Sequence, residues 1–199
     1  MGYQLMVQVI EGGFWTLNKI YYTSLLIFAF LLAGCSNSFK YSDEEVAAIV
    51  RGEEITIGEL RFLYTDDIVL EMVEQRIKDV LVIQEAKKMN IDVSENVKTI
   101  VETFGDYPLS KNFDAEYANS IRKFVEPQAK KLGLDPQEYY KKYVEINAER
   151  DEYKLAYITK VLGEPKDEEH YDEHFKLAEQ LPDDLVEKYQ DEIQILVNE

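Results

Sequence analysis

Cysteine occurs once in the 199 residues, tryptophan once and histidine twice. A lone thiol excludes an internal disulfide, and two histidines leave little material for a metal or proton-transfer site. Basic residues number 22 against 39 acidic ones, a net charge of −17. With no basic surface to displace counterions from phosphates, this balance argues against nucleic acid as a partner. The same balance opposes adhesion to an anionic bilayer. There is no glycine-rich phosphate loop, no nucleophile elbow and no Cys/His constellation, so nothing makes a positive case for an enzyme or for a cofactor. No apolar run reaches the roughly 20 residues that a membrane-spanning helix needs.

What is present at the N-terminus is a short apolar run, Ile20–Leu32, preceded by Lys19 and closed by Leu32-Ala33-Gly34-Cys35. A charged start, an apolar h-region and small residues before a cysteine fit a secretory signal. The tetrapeptide resembles a bacterial lipobox, which implies cleavage before Cys35 and attachment of diacylglycerol to its thiol. Stable anchoring then comes from the acyl chains, palmitate among them. The expected location is the extracytoplasmic face of the bacterial cell membrane. Removing residues 1–34 takes away only Glu11 and Lys19, so the net charge stays at −17. Residues 1–16 hold no Lys or Arg, unlike a signal n-region, and Glu11-Gly12-Gly13 is compatible with a translated ribosome-binding sequence. Initiation is therefore expected at residue 17.

Residues 35–45 read as a polar linker and 46–199 as one domain with its own core. Val46–Val50, a turn at Arg51-Gly52 and Ile55 suggest a strand and turn. Thr56 and Glu59 form a capping box that starts a short helix at Ile57. Asp66-Asp67 can cap the next helix, whose apolar residues from Ile68 to Leu81 repeat at three- and four-residue steps until Asn90 ends it. Ser94 can cap a further helix to Phe104. Gly105–Asn119 has no clean period and reads as a loop. Ser120–Leu132 is helical with Pro127 inside, and Gly133 stops it. Asp135-Pro136-Gln137-Glu138 then opens a helix to Leu162, with Gly163 as its C-cap. An acidic stretch follows, then a last helical turn at Leu185–Tyr189 and a weak strand at Glu192–Val197.

Val46-Ala47-Ala48-Ile49-Val50-Arg51-Gly52-Glu53-Glu54-Ile55-Thr56 resembles the opening of SurA/PrsA-type extracytoplasmic chaperones, "V-A-x-V-N-G-E-x-I-T". Arg51 stands where that family has Asn. Leu81 to Glu95, with Glu85-Ala86-Lys87-Lys88 at its centre, is similar to the family's "L-I-x-x-E-A-K-K-x-G-I-x-V-S-D", with Asn90 in place of Gly. Leu134 to Tyr139 loosely matches "G-x-s-x-E-E-Y/F". The resemblance implies a mainly α SurA N-terminal-like domain whose first and last segments pair as a small sheet, Ile193–Val197 beside Val46–Val50. It also implies a chaperone for unfolded or secreted polypeptide clients. Isomerase members insert a parvulin module before the C-terminal segment, where this chain has only the acidic stretch between Val161 and Leu181. Isomerase activity is therefore not expected.

Along the long helix, Tyr139, Tyr143, Ile146, Tyr153 and Tyr157 fall on one stripe, and Lys141, Lys142, Glu145, Glu149 and Glu152 lie opposite. The stripe is a candidate polypeptide-binding groove, because tyrosine rings bury area at low entropy cost. The alternative, that neighbouring helices cover it as core, is the favoured one, although Arg150 and Asp151 inside the apolar arc point toward a partly wet groove. His170 and His174 are four apart, a spacing two metal ligands can use on a helix, but a solvated charge run explains them better. Two functions follow: a holdase for extended polypeptide, or a non-catalytic adaptor for one dedicated envelope or secreted partner. The start-site expectation is checked by the mass of the lipoprotein precursor; a mass for all 199 residues would overturn it.

Overall fold

The computed structural model describes residues 39–109, 114–165, 167 and 170–197. The expected signal peptide and Cys35 lie outside them. The elements in chain order are β1 (Val46–Val50), β2 (Glu53–Thr56), α1 (Ile57–Leu63), α2 (Val73–Lys88), α3 (Ser94–Phe104), α4 (Ala115–Leu132), α5 (Pro136–Leu162), α6 (Tyr171–Lys188), a 3-10 turn at Gln190–Glu192 and β3 (Ile193–Ile195). The chain is mainly helical, with one three-stranded antiparallel sheet in the order β2-β1-β3. None of the described helices is long and apolar enough to cross a membrane.

The sheet joins the two ends of the fold. β1 is central, so Ala47, Ala48 and Val50 are buried. It pairs with β2 through Val50↔Glu53 and with β3 through Val50↔Ile193 and Ala48↔Ile195. This is the expected pairing of first and last segments, ending at Ile195 rather than Val197. The two-residue turn places both Arg51 (φ 51°) and Gly52 (φ 84°) in the left-handed region. That conformation matches the twist of a hairpin but is costly for a residue with a Cβ.

Arg51 is held there by what its side chain reaches. Its Nη1 donates to Glu85 Oε1 at 2.9 Å, and its guanidinium lies 4.0 Å from the centre of the Tyr189 ring. The Tyr189 hydroxyl also donates to Glu85 Oε1, at 2.9 Å. Glu85, 5% exposed, thus ties the hairpin and the end of α6 to α2. Burial pushes its pKa up, but hydrogen bonds from Tyr189 and Arg51 and the charges of Lys188 and Lys88 outweigh this and hold it below its ordinary value.

Local signals set most helix ends. Thr56 accepts from Glu59 N at 3.1 Å and starts α1, while the Glu59 carboxylate turns instead to Arg76 Nε at 2.6 Å. Gly58 permits a close approach: a Cβ there would meet the Asp43 carbonyl at 2.8 Å. Tyr41–Glu45, expected as the end of the linker, is accordingly tied to α1 by Gly58 N→Asp43 O and Ile57 N→Glu45 O. Asn90 (φ 57°) closes α2 with Ile91 N→Ala86 O and Asn90 N→Lys87 O, a left-handed cap with both expected bonds. Asp135 and Pro136 open α5 and Gly163 closes it, over the 27 residues expected.

Four expectations are corrected. Ser94 does not cap a helix: it is the first residue of α3, whose N-cap Val93 makes no side-chain bond, and Ser94 N donates to Asp92 Oδ1 at 3.0 Å. Asp66-Asp67 does not cap a helix: residues 66–72 form successive turns and α2 begins at Val73. Asp66 instead accepts from Arg61 Nε at 3.0 Å and Lys131 Nζ at 2.9 Å. α4 begins at Ala115, not Ser120, because Asp114 accepts from Glu116 N and Tyr117 N. Pro127 is accommodated because it and Lys123, whose carbonyl loses its donor, both face water. α6 starts at Tyr171 and runs through Pro182, so Asp183-Asp184 lie inside a helix, where Asp183 pairs with Lys78 Nζ. The packing of Pro182 and Leu185 in the interior offsets the lost helix bond.

Glu85→Ala would leave Arg51 and the Tyr189 hydroxyl without their acceptor. It is expected to lower the unfolding free energy by about 3–5 kcal/mol, measured as a lower urea midpoint at unchanged slope. Because the folded pKa of Glu85 is depressed, the difference should be full above its ordinary value of 4.5 and shrink as pH falls through the folded value below it. A difference that persists undiminished at pH 2 would contradict this assignment.

Candidate functional site

α5 is the spine of the helical layer, and its faces meet different partners. The N-terminal part of the tyrosine stripe enters an aromatic cluster with α1 and α4. Tyr139 is fully buried, 4.9 Å from the Phe62 ring and 6.2 Å from Phe124, and its hydroxyl donates to Phe62 O at 3.0 Å. Burial pushes that phenol far above its ordinary pKa. Tyr143 is half-buried against Phe124 at 5.0 Å. Gln128 and Lys131 of α4 donate to the carbonyls of Arg61 and Tyr64, satisfying groups that the end of α1 leaves open.

Further along, Tyr153 and Tyr157 are buried and Ile146 is half-buried. Lys87 Nζ lies 5.2 Å from the Tyr153 ring centre. Of the five residues of the candidate groove, then, Tyr139, Tyr153 and Tyr157 pack in the interior, leaving Tyr143 and Ile146 as its partly accessible members. The stripe is continuous along the helix, but neighbouring helices cover most of it. A client could reach Tyr139 and Tyr157 only if those helices moved, whereas Tyr153, 8% exposed, borders the cleft between α3 and α5.

Between α2 and α5 a polar seam interrupts the core. Asp79 is 6% exposed, and its Oδ1 accepts from Gln75 Nε2 at 3.0 Å, while Oδ2 is buried without a hydrogen-bond partner. Burial raises its pKa, against the Gln75 hydrogen bond and the charges of Arg150, Arg76 and Lys154. Arg150 is half-buried and bonds Asp151 Oδ1 at 2.9 Å, with its pKa raised: burial lowers it, and Asp151 and Asp79 more than compensate.

The opposite face of α5 is where the structure departs most from sequence expectation. Lys141, Glu145, Glu149 and Glu152 do not form a face left to water alone, because α3 lies across them. Asn96 Nδ2 donates to Glu152 Oε2 at 2.7 Å. α3 is amphipathic, with Val97, Ile100, Val101 and Phe104 at helical spacing, yet none of its residues is buried. Apolar side chains set over charged ones cannot close against each other, since burying the carboxylates would cost more than the contact returns. Two clefts result. One of about 510 Å³ is lined by Val97, Val101 and Glu102 of α3 and by Lys141, Glu145, Glu149 and Tyr153 of α5. The other, about 410 Å³, lies at the start of α3 over Leu155, Ala156 and Thr159. Leu155 is 60% exposed and Phe104 47%.

The two histidines have separate partners. His170 Nδ1 lies 2.5 Å from Asp167 Oδ1, and His174 Nε2 lies 2.9 Å from Gly163 O. Among the described residues no group of three or more His, Cys, Asp or Glu could hold a metal.

Sequence reasoning missed the α3 cleft. The signal available was the helical spacing of Val93, Val97, Val101 and Phe104; what it could not show was which face of α5 that stripe would meet. Compared with family models, with curated proteins and with solved structures, the chain has no match.

Asp79 yields a pH-dependent expectation. A folded pKa above the ordinary 3.8 means that folding favours the protonated acid, so its contribution is present below 3.8 and lost as pH rises through the folded value. Asp79→Asn should therefore stabilise the protein at pH 7 by about 1–2 kcal/mol, the cost of an unsatisfied buried group. The gain should vanish near pH 3. Thermal unfolding of both proteins at the two pH values checks it, and a loss of stability at pH 7 would refute it.

Proposed function

We propose that this chain is a membrane-anchored extracytoplasmic lipoprotein that binds non-native or extended polypeptide as a holdase, without isomerase activity. The observation that carries the reading is α3: an amphipathic helix with no fully buried residue, whose half-buried apolar stripe borders open clefts over α5. Natural sequences usually agree with their fold at every level, and departures from that agreement concentrate at functional sites. Exposed apolar side chains elsewhere extend the same surface character. Tyr171, Phe175 and Leu177 stand on the first turns of α6, and Leu155 and Val161 stand on α5.

Support for the cellular setting comes from the Lys19-to-Cys35 pattern and from the three segments that resemble SurA/PrsA-type chaperones. The proposal assigns the lipid to Cys35 and no catalytic role to any residue. Clients are held at the cell surface, where the acyl anchor keeps the domain close to emerging secreted chains. The second reading, an adaptor for one dedicated partner, uses the same surfaces and differs only in breadth. The structural feature that favours the holdase is that the clefts are shallow, open and lined by flexible charged side chains as well as valines, an adaptable surface rather than a shaped pocket.

Light scattering of a chemically unfolded, aggregation-prone protein, with and without the full chain, tests this. Suppression at near-stoichiometric ratios is expected, reduced severalfold by Val97→Ser with Val101→Ser at unchanged helicity. These side chains are half-buried, so their truncation should leave the fold intact. No suppression across several unrelated clients would favour the adaptor instead.

A further inference from the structure

The cleft between α3 and α5 has a chemical character that selects among polypeptides. Its apolar lining includes Val97 and Val101 of α3 and Tyr153 of α5. Carboxylates stand along its length: Glu102 from α3, and Glu145 and Glu149 from α5. Two lysines, Lys98 and Lys141, share this lining with the three carboxylates, and the neighbouring cleft adds Asp92 and Glu152 against Lys160, so acids exceed lysines in each. They sit on a chain of net charge −17. Resting on the holdase reading above, we propose that this cleft takes a cationic polypeptide segment with alternating apolar side chains. The apolar groups seat on Val97, Val101 and Tyr153, and the ammonium or guanidinium groups meet Glu102, Glu145 and Glu149.

Dimensions agree with such an occupant. The 11 residues of α3 rise about 16 Å at 1.5 Å each, which an extended strand covers in about five residues at 3.3 Å. Alternate side chains of a strand point to opposite sides, so a segment lying in the cleft can present one set to the valines and the other to the carboxylate rim. The rim acids are available at small cost. Glu145 is held only by Lys142, at 2.9 Å, and Glu149 only by Lys87, at 3.4 Å, among the ion pairs found. Exposed pairs of this kind are worth about 0–1 kcal/mol, so a client cation can replace the lysine.

Charge also decides against the competing occupants. A second copy of this chain brings the same net charge, so self-association through the cleft would oppose two strongly acidic surfaces. An uncharged small apolar ligand would have to bury the rim carboxylates or leave the cleft half-filled. A cationic segment alone gains on both counts: apolar contact below and opposite charge along the rim, with long-range attraction speeding encounter.

Fluorescence anisotropy with the full chain and labelled seven-residue peptides tests the proposal. The probes alternate leucine with lysine, with serine or with glutamate. The lysine peptide is expected to bind at least about tenfold more tightly than the glutamate peptide, with an affinity that falls as salt rises. Glu102→Gln with Glu145→Gln and Glu149→Gln should weaken the lysine peptide severalfold and leave the serine peptide unchanged. Equal binding of the lysine and serine peptides, or no effect of the triple substitution, would overturn the charge preference and leave the holdase reading standing. Failure of every peptide to bind, in a preparation that still suppresses aggregation, would remove the cleft as the site. Failure of both assays would remove the holdase reading too. Sedimentation showing a dimer that Val97→Ser dissolves would assign the cleft to a second copy and overturn the proposal.

Discussion

One buried carboxylate fixes how the ends of this chain meet its middle. Glu85 lies in α2, accepts from Arg51 in the hairpin turn 34 residues earlier, and accepts from Tyr189 104 residues later. Apolar contact alone is non-directional and would allow the hairpin and the end of α6 to slide on α2. A carboxylate that must be satisfied admits far fewer arrangements. The same contact accounts for a local oddity, a left-handed arginine where a hairpin turn prefers Asn or Gly. The strain at Arg51 is tolerated because its guanidinium completes the cluster, stacks on Tyr189 and lies 3.8 Å from Glu192 just before β3.

With the sheet locked to α2 in this way, α5 can serve as a spine with unequal faces. Its tyrosine stripe joins α1 and α4 in an aromatic cluster and continues through half-buried Ile146 to buried Tyr153 and Tyr157. The polar seam of Asp79, Gln75 and Arg150 marks where α2 and α5 are not sealed by apolar packing. The charged face, by contrast, carries α3 as a loosely seated strap. The domain therefore has a firm side, held by buried rings and the Glu85 cluster, and an open side where apolar and acidic groups share one surface. A polypeptide-binding role draws naturally on the open side, since local stability there is set by few buried contacts.

Much of the architecture was legible in the residues. Thr56, Asp135-Pro136, Gly133 and Gly163 marked helix ends where the structure has them, because capping is a local matter of one side chain and the next few amides. The same local logic misplaced the starts of α2, α4 and α6. Asp66 looked like a cap but was recruited by Arg61 and Lys131. Asp114 capped α4 earlier than the loop-like composition before Ser120 suggested. α6 begins at Tyr171, well before the last turn expected at Leu185, with Pro182 buried inside it. At Asp66 and Pro182 a partner distant in sequence, or packing against another element, outweighed the propensity of the segment; at Asp114 the cap is local, and the loop-like composition around it concealed it.

The tyrosines illustrate the division most clearly. Their spacing determined that one face of α5 would be apolar and aromatic, whatever came to lie against it. The sequence likewise determined the acidic charge, the hairpin and the helical class, since these follow from composition and from contacts within a few residues. Whether the tyrosine face became core or surface was decided only when α1, α2 and α4 closed over it. That α3 would settle over carboxylates, leaving its valines beside open clefts, was also a tertiary outcome. Periodicity tells a helix which side is apolar, but not which neighbour will meet that side, because the choice depends on how all the faces together can be satisfied.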